Sequence, residues 1–104
     1  PPALMLTENP DILTNVAASS NRPELVIGFA AETDDVLDNA KKKRKRKACD
    51  WIVANDVSGD VMGGADNQVH IVREKAAQEW EPMSKMDVAW KLVGEIGEHL
   101  NADG

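Results

Sequence analysis

Soft metal ligands are scarce in this chain: one cysteine, Cys49, and two histidines among 104 residues. That excludes an internal disulfide framework and leaves too few Cys and His for a zinc-type cluster, so no metal cage is expected from the side chains themselves. Long apolar runs are missing as well, and none approaches the ~20 residues of a membrane-crossing helix. No basic-then-apolar leader opens the sequence, and a cytoplasmic protein is expected. GxSxG, HExxH, a P-loop and a Cys/His pair are all absent. Carboxylates are plentiful, yet nothing marks two of them as a working pair. Positive charge is in deficit, with 12 Lys and Arg against 18 Asp and Glu and a net charge of −6. That balance argues against general nucleic-acid or membrane binding.

What is present is a regular alternation of apolar runs and helical segments. The length fits one domain or part of one. The hydrophobic share of 42% supports a core, though a modest one at this size. The chain is organised around Glu24 to Asp56. Leu25-Val26-Ile27 runs into Gly28-Phe29-Ala30-Ala31, a helix-like segment follows, and Trp51-Ile52-Val53-Ala54 leads to Asn55-Asp56. Short apolar runs flanking a helix are the signature of parallel strands buried on both faces. Ligands bind such sheets at the carboxyl ends of the strands, here Gly28-Phe29-Ala30 and Asn55-Asp56-Val57.

Before that stretch, Ala3-Leu4-Met5-Leu6 reads as a short strand, as if the chain entered an alternating β/α pattern midway. Asn9 is a good N-cap, Pro10 suits the first helical position, and Asp11 complements the first turn. Ile12, Leu13, Val16 and Ala17 are expected to form the apolar face. A helix start after a strand is also a common phosphate seat. The polar turn Ser19-Ser20-Asn21-Arg22-Pro23 ends the element.

The second helix is expected to take Thr33 as N-cap, with Asp34 and Asp35 in its first turn and Val36, Leu37 and Ala40 against the sheet. Lys41 through Lys47 are seven consecutive basic residues. Most of them complement the helix dipole in solvent. A nuclear-localisation or nucleic-acid patch is a second reading, opposed by the acidic total and the lack of interleaved aromatics. A third reading has one face holding an anionic ligand, since Lys43 and Lys47 stack four residues apart.

Val57 to Asn67 reads as a flexible loop, with Gly63-Gly64 too short for a phosphate loop. Gln68-Val69-His70-Ile71-Val72-Arg73 alternates like a strand with one wet face, on which His70 is an exposed residue rather than a base or ligand. Glu74 to Ala77 turns the chain, and Gln78 to Glu81, with Trp80, returns antiparallel. Ser84 caps the last helix with Asp87 three residues on. Met86, Trp90, Val93, Ile96, Gly97 and Leu100 form its expected core stripe, and the last residues should fray. The fold class is α/β: a Rossmann-like parallel sheet with a β-hairpin extension, part of a larger domain.

Taken in this order, Asn9-Pro10-Asp11-Ile12, Gly28-Phe29-Ala30-Ala31-Glu32-Thr33, the basic helix, Ala54-Asn55-Asp56-Val57 and Met83-Ser84-Lys85 resemble the phosphopantothenate–cysteine ligase family. The resemblance runs from about Leu4 to Leu100, and residues 1–104 match the C-terminal part of that family's CTP-binding ligase domain. It implies that 4′-phosphopantothenate is joined to L-cysteine through an acyl-cytidylate made from CTP, in coenzyme A biosynthesis. It further implies that CTP is carried by Pro10, Asp11, Ile12, Leu13, Phe29, Lys43 and Lys47, with Asn55 and Asp56 near the site. Mg²⁺ comes with the nucleotide, and FMN only with a decarboxylase domain fused outside this chain. The family's glycine-rich N-terminal strand-turn-helix, its asparagine that handles the acyl-cytidylate and a mobile lysine loop have no counterpart here. They are expected in a missing N-terminal part, and a homodimer is expected. Cys49 is not the substrate cysteine and is expected to pack as a small buried hydrophobe.

Two rivals belong to other classes. One is a binding module whose basic helix meets a nucleic acid or an acidic partner. The other is a non-catalytic assembly piece that uses the hairpin for a dimer contact.

Overall fold

A computed structural model describes residues 3–57 and 67–102. The glycine-rich loop expected between Val57 and Asn67 lies outside the described residues from Ser58 to Asp66. So do Pro1, Pro2 and the Asp103-Gly104 end.

Three parallel strands form the base: β1 (Leu4–Thr7), β2 (Leu25–Glu32) and β3 (Trp51–Asp56). Two antiparallel strands extend it, β4 (Gln68–Val72) and β5 (Ala77–Glu79). The order is β1-β2-β3-β4-β5, so each strand lies beside its sequence neighbour. The sheet is therefore mixed, with the expected hairpin as its antiparallel part. β5 ends it with three exposed residues, Ala77, Gln78 and Glu79. A short, polar edge of this kind discourages further strand pairing.

Strand alternation sorts the core into two layers. Leu25, Ile27, Trp51, Val53, Val69 and Ile71 face one way and meet Trp80, Leu92 and Ile96. Val26, Ile52, Ala54 and Val72 face the other way and meet Leu13, Ala40 and Cys49. The second layer is roofed by α1 (Pro10–Ala17) and α2 (Val36–Lys47), the first by α3 (Lys85–Ala102). Gly28 is where α1 comes closest, since a Cβ there would lie 2.7 Å from Leu13 Cδ2 and 3.0 Å from Ile52 Cδ1.

The amino edge of the sheet is clamped by one ion pair. Arg22 donates to Asp50 Oδ2 at 2.7 Å and to the carbonyls of Ala17 and Ala48 at 3.2 and 2.8 Å. Asp50 Oδ2 also accepts from the Val26 amide at 2.8 Å. The ends of both helices are thereby tied to the start of the central strand pair. Their other ends are left to meet at the carboxyl edge.

Three local expectations need correction. The second helix starts at Val36, not after Thr33, because Asp35 takes a left-handed turn (φ 40°) and makes no side-chain cap. Leu37 and Ile12 turn outward, with Ile12 47% exposed. The largest error concerns α3, in which Leu92 and Ile96 are buried and Val88 and Leu100 pack beside them. Met86, Trp90 and Val93 instead face outward, 67%, 70% and 59% exposed. The expected stripe holds only in its second half, at Ile96 and Leu100, while in the first half Val88 and Leu92 take the places expected for Met86, Trp90 and Val93.

Candidate functional site

The carboxyl edge is built from three elements: the turn from β1 into α1, the end of β2, and the end of β3. At α1 the cap is as expected. Asn9 Oδ1 accepts from the amides of Asp11 and Ile12 at 2.9 and 3.2 Å, and the Asn9 carbonyl accepts from Leu13 at 3.0 Å. Pro10 has no N–H to offer. Every early donor of the helix is thus engaged, and this start presents no free amide to a phosphate. What it offers outward is the Asp11 carboxylate and the apolar Ile12 side chain. A phosphate seated here would have to compete with the cap, which already satisfies those donors.

Positive charge reaches the edge from α2 instead. Lys43 Nζ lies 2.6 Å from Glu32 Oε2, at the last residue of β2. Helical side chains lean toward the N-terminus, and α2 begins at this edge, so Lys43 points back up to it. Lys47 is half-buried and one helical turn farther along, about 6 Å toward the amino edge. Of the two stacked lysines, Lys43 stands nearer the carboxyl edge.

The remaining expected residues divide across the sheet. By alternation Glu32 and Asp56 are register partners on the α1–α2 face, while Phe29 and Asn55 point to the α3 face. There, Phe29 and Asn55 line a groove of about 760 Å³ between β2, β3 and α3. Asn67 and Lys85 add polar groups to it, and Leu6 and Val93 form its apolar rim. The nine expected residues therefore do not converge in one pocket. They lie on two sides of the sheet, and a ligand touching both must cross its carboxyl edge.

Glu32, Asn67 and Lys85 were not expected from the sequence. Glu32 had a readable signal: it continues the Val26, Gly28, Ala30 alternation onto the helix-covered face. Behind the site, Cys49 is fully buried below α1, and burial pushes its thiol up from its ordinary value. That behaviour is the small buried hydrophobe expected for this residue. His70, expected to be exposed, is half-buried and borders an acidic hollow near the same edge, formed with Asp34, Asp35, Asp38, Asp56 and Glu79. Among the described residues no three of His, Cys, Asp or Glu converge to hold a metal ion, and no helix is long and apolar enough to cross a membrane.

Comparison with known proteins accounts for this architecture. Residues 1–100 match the family described as DNA/pantothenate metabolism flavoprotein C-terminal domain. The chain is 39% identical over 95 residues to the coenzyme A biosynthesis bifunctional protein CoaBC of Haemophilus influenzae, covering 90% of this chain and 24% of that protein. The corresponding protein of Bacillus subtilis is 36% identical over 96 residues, 89% of this chain and 23% of that one. The chain thus spans about a quarter of the length of these relatives. Among solved structures, the C-terminal domain of a CoaBC protein superposes with a TM-score of 0.71 at 32% identity, over 88% of this chain and 42% of that one. The DNA/pantothenate metabolism flavoprotein from Streptococcus pneumoniae, 22% identical, shares the fold with a TM-score of 0.66 over 83% of this chain and 39% of that one. The chain belongs to the DNA/pantothenate metabolism flavoprotein C-terminal domain family, the C-terminal part of the CoaBC coenzyme A biosynthesis proteins.

Proposed function

We propose that this chain is the CTP-binding part of a phosphopantothenate–cysteine ligase. The observation that carries the reading is the Lys43 ammonium held at the carboxyl edge, in a chain whose relatives are coenzyme A biosynthesis proteins. In the proposed reaction a carboxylate oxygen of 4′-phosphopantothenate attacks the α-phosphorus of CTP. The bond to pyrophosphate breaks and an acyl-cytidylate forms. The amine of L-cysteine then attacks the acyl carbon, CMP leaves, and the nitrogen loses its proton as the amide forms. Lys43, with Lys47 behind it, supplies fixed positive charge for the phosphate oxygens as pyrophosphate departs. With its amides engaged, the Pro10–Leu13 turn serves the sugar or base through Asp11 and Ile12 rather than the phosphates. Phe29 and Asn55 border the far side of the edge.

Mg²⁺, in this reading, arrives on the triphosphate, whose oxygens and waters supply its coordination. A flavin belongs with a decarboxylase domain outside this chain. The strand order supports an incomplete site. Ligand crevices in open α/β sheets form where the order reverses, and β1 to β5 run in one direction without a reversal. Further polypeptide beside β1 would create that crevice and cover Met86, Trp90 and Val93. The chain alone is then inactive as a ligase, and the complete enzyme is a homodimer in the cytoplasm.

One observation favours the basic helix meeting a nucleic acid or acidic partner. Lys41, Arg44 and Lys45 share a cleft with Arg73 and Lys75 near the β4–β5 turn, away from the carboxyl edge. The two readings separate by mutation in the complete ligase domain. Lys43→Gln with Lys47→Gln, and Lys42→Gln with Arg46→Gln, each remove two charges. Only the first pair should weaken CTP use, by about ten- to a hundred-fold per lost charge-assisted hydrogen bond. Equal CTP kinetics would remove these lysines from the site. Salt-sensitive duplex DNA binding that is lost in Lys41→Gln with Lys45→Gln, with CTP use unchanged in the Lys43/Lys47 variant, would favour the rival.

A further inference from the structure

The carboxylate at the end of β2 is the unusual feature of this edge. The strand carries seven uncharged residues from Leu25 to Ala31 and then Glu32, which is only 6% exposed. Among the described residues it is the one buried charged side chain. A carboxylate in that position is costly unless paired and hydrogen-bonded. Its partner, Lys43 Nζ at 2.6 Å, belongs to a side chain that is 36% exposed. The pair is thus lopsided, with its negative end under the surface and its positive end at it.

We propose that Glu32 is a positioning residue that holds the Lys43 ammonium at the carboxyl edge for a nucleotide phosphate, an inference that rests on the CTP reading above. A lysine ammonium has three N–H donors. Glu32 engages one from below, which leaves the others directed outward, where a phosphate oxygen would lie. Without the anchor, a four-carbon stem samples many rotamers, and fixing it on binding costs side-chain entropy. Glu32 opposes that disorder before any ligand arrives. As a purely structural device the pair would be a poor choice, since apolar residues of similar volume stabilise such a place as well or better. The geometry is better matched to presenting charge than to holding the sheet together.

The test uses the full-length protein that carries this segment, with Glu32→Gln, Lys43→Gln and the double variant, and KM for each of the three substrates. Glu32→Gln is expected to raise KM for CTP by about tenfold, the loss of one charge-assisted contact, and to leave KM for 4′-phosphopantothenate and cysteine unchanged. In the Lys43→Gln background the same change should have no further effect on KM for CTP, because Glu32 acts only through Lys43. If Lys43→Gln weakens CTP use while Glu32→Gln has no effect, or adds its own loss in the double variant, the positioning role is wrong and the Lys43 site stands. If Lys43→Gln leaves CTP use intact, the nucleotide reading itself is wrong and the role of Glu32 falls with it. Thermal melting is followed throughout. Should Glu32→Gln fail to fold, Glu32→Asp decides, since it keeps the charge but withdraws it by one methylene. A raised KM for CTP at unchanged melting temperature supports the proposal, and an unchanged KM overturns it.

Discussion

Replacing Gly28 by alanine tests how α1 is seated on the sheet. The added Cβ would lie 2.7 Å from Leu13 Cδ2 and 3.0 Å from Ile52 Cδ1, with Cys49 Sγ behind them at 3.8 Å. Leu13 and Ile52 are both buried, so neither side chain has free space to swing into. Overpacking of this kind costs about 1–3 kcal/mol. Against it stands the reduced freedom of the unfolded chain, about 0.4–1 kcal/mol in favour of alanine. The net is a destabilisation of about 1–2 kcal/mol. With an unfolding entropy near 2.1 cal/mol/K per residue, a chain of this length should melt about 5–10 °C lower. Scanning calorimetry on the 104-residue chain measures it. Leu13→Ala serves as the cross-check: alone it leaves a cavity worth about 2–5 kcal/mol, but in the Gly28→Ala background the added methyl fills part of that cavity. The double variant should therefore be more stable than the sum of the two losses by about 1 kcal/mol. A Gly28→Ala protein that melts at or above the parent, or strict additivity with Leu13→Ala, would refute the close approach of α1 to β2.

Two further outcomes follow from burial. Because the Cys49 thiol is pushed up from its ordinary value near 9.0, the folded chain keeps a proton that the unfolded chain releases. The unfolded form then binds fewer protons, so stability should decline as pH rises through the ordinary thiol value. Urea titrations between about pH 8 and 10 should show that decline in the parent and lose it in Cys49→Ala; identical slopes would contradict the burial. Trp90 is exposed while Trp51 and Trp80 are buried. In the isolated chain, acrylamide should quench one class of tryptophan emission readily, and Trp90→Glu should abolish that class with a stability change within about 0.5 kcal/mol. A melting temperature lowered by many degrees would mean that Trp90 belongs to this chain's own core.

Much of the architecture was legible because it depends on local patterns. Continuous apolar runs at Leu25–Ile27 and Trp51–Ala54, short and flanking a helical segment, have the pattern of strands buried on both faces. Asn9-Pro10 and Ser84 act as caps through atoms two or three residues away, and the Asp87 amide does lie 3.1 Å from Ser84 Oγ. The period-two pattern from Gln68 to Val72 identified the strand, although the face expected to be wet is covered in part, with Val72 buried and His70 half-buried. Nothing in those patterns depends on distant parts of the chain.

The tertiary structure decided what local pattern leaves degenerate. α3 carries two apolar faces, and only the position of Trp51, Val53 and Ile71 selects Leu92 and Ile96 over Met86, Trp90 and Val93. Thr33 is a good cap by residue type, yet β2 continues through Glu32 and a left-handed Asp35 delays the helix to Val36. The candidate site shows the same division. Sequence spacing alone puts Lys43 and Lys47 on one helical face, but it leaves open which stands nearer a ligand edge. The direction of α2 against the parallel strands decides that, and the Glu32–Lys43 contact spans eleven residues of chain that only the β2–α2 crossover brings together. Residue types and spacings thus determined the elements and nominated the cations. The choice of buried face, and the charge that reaches the edge, arose from packing between elements.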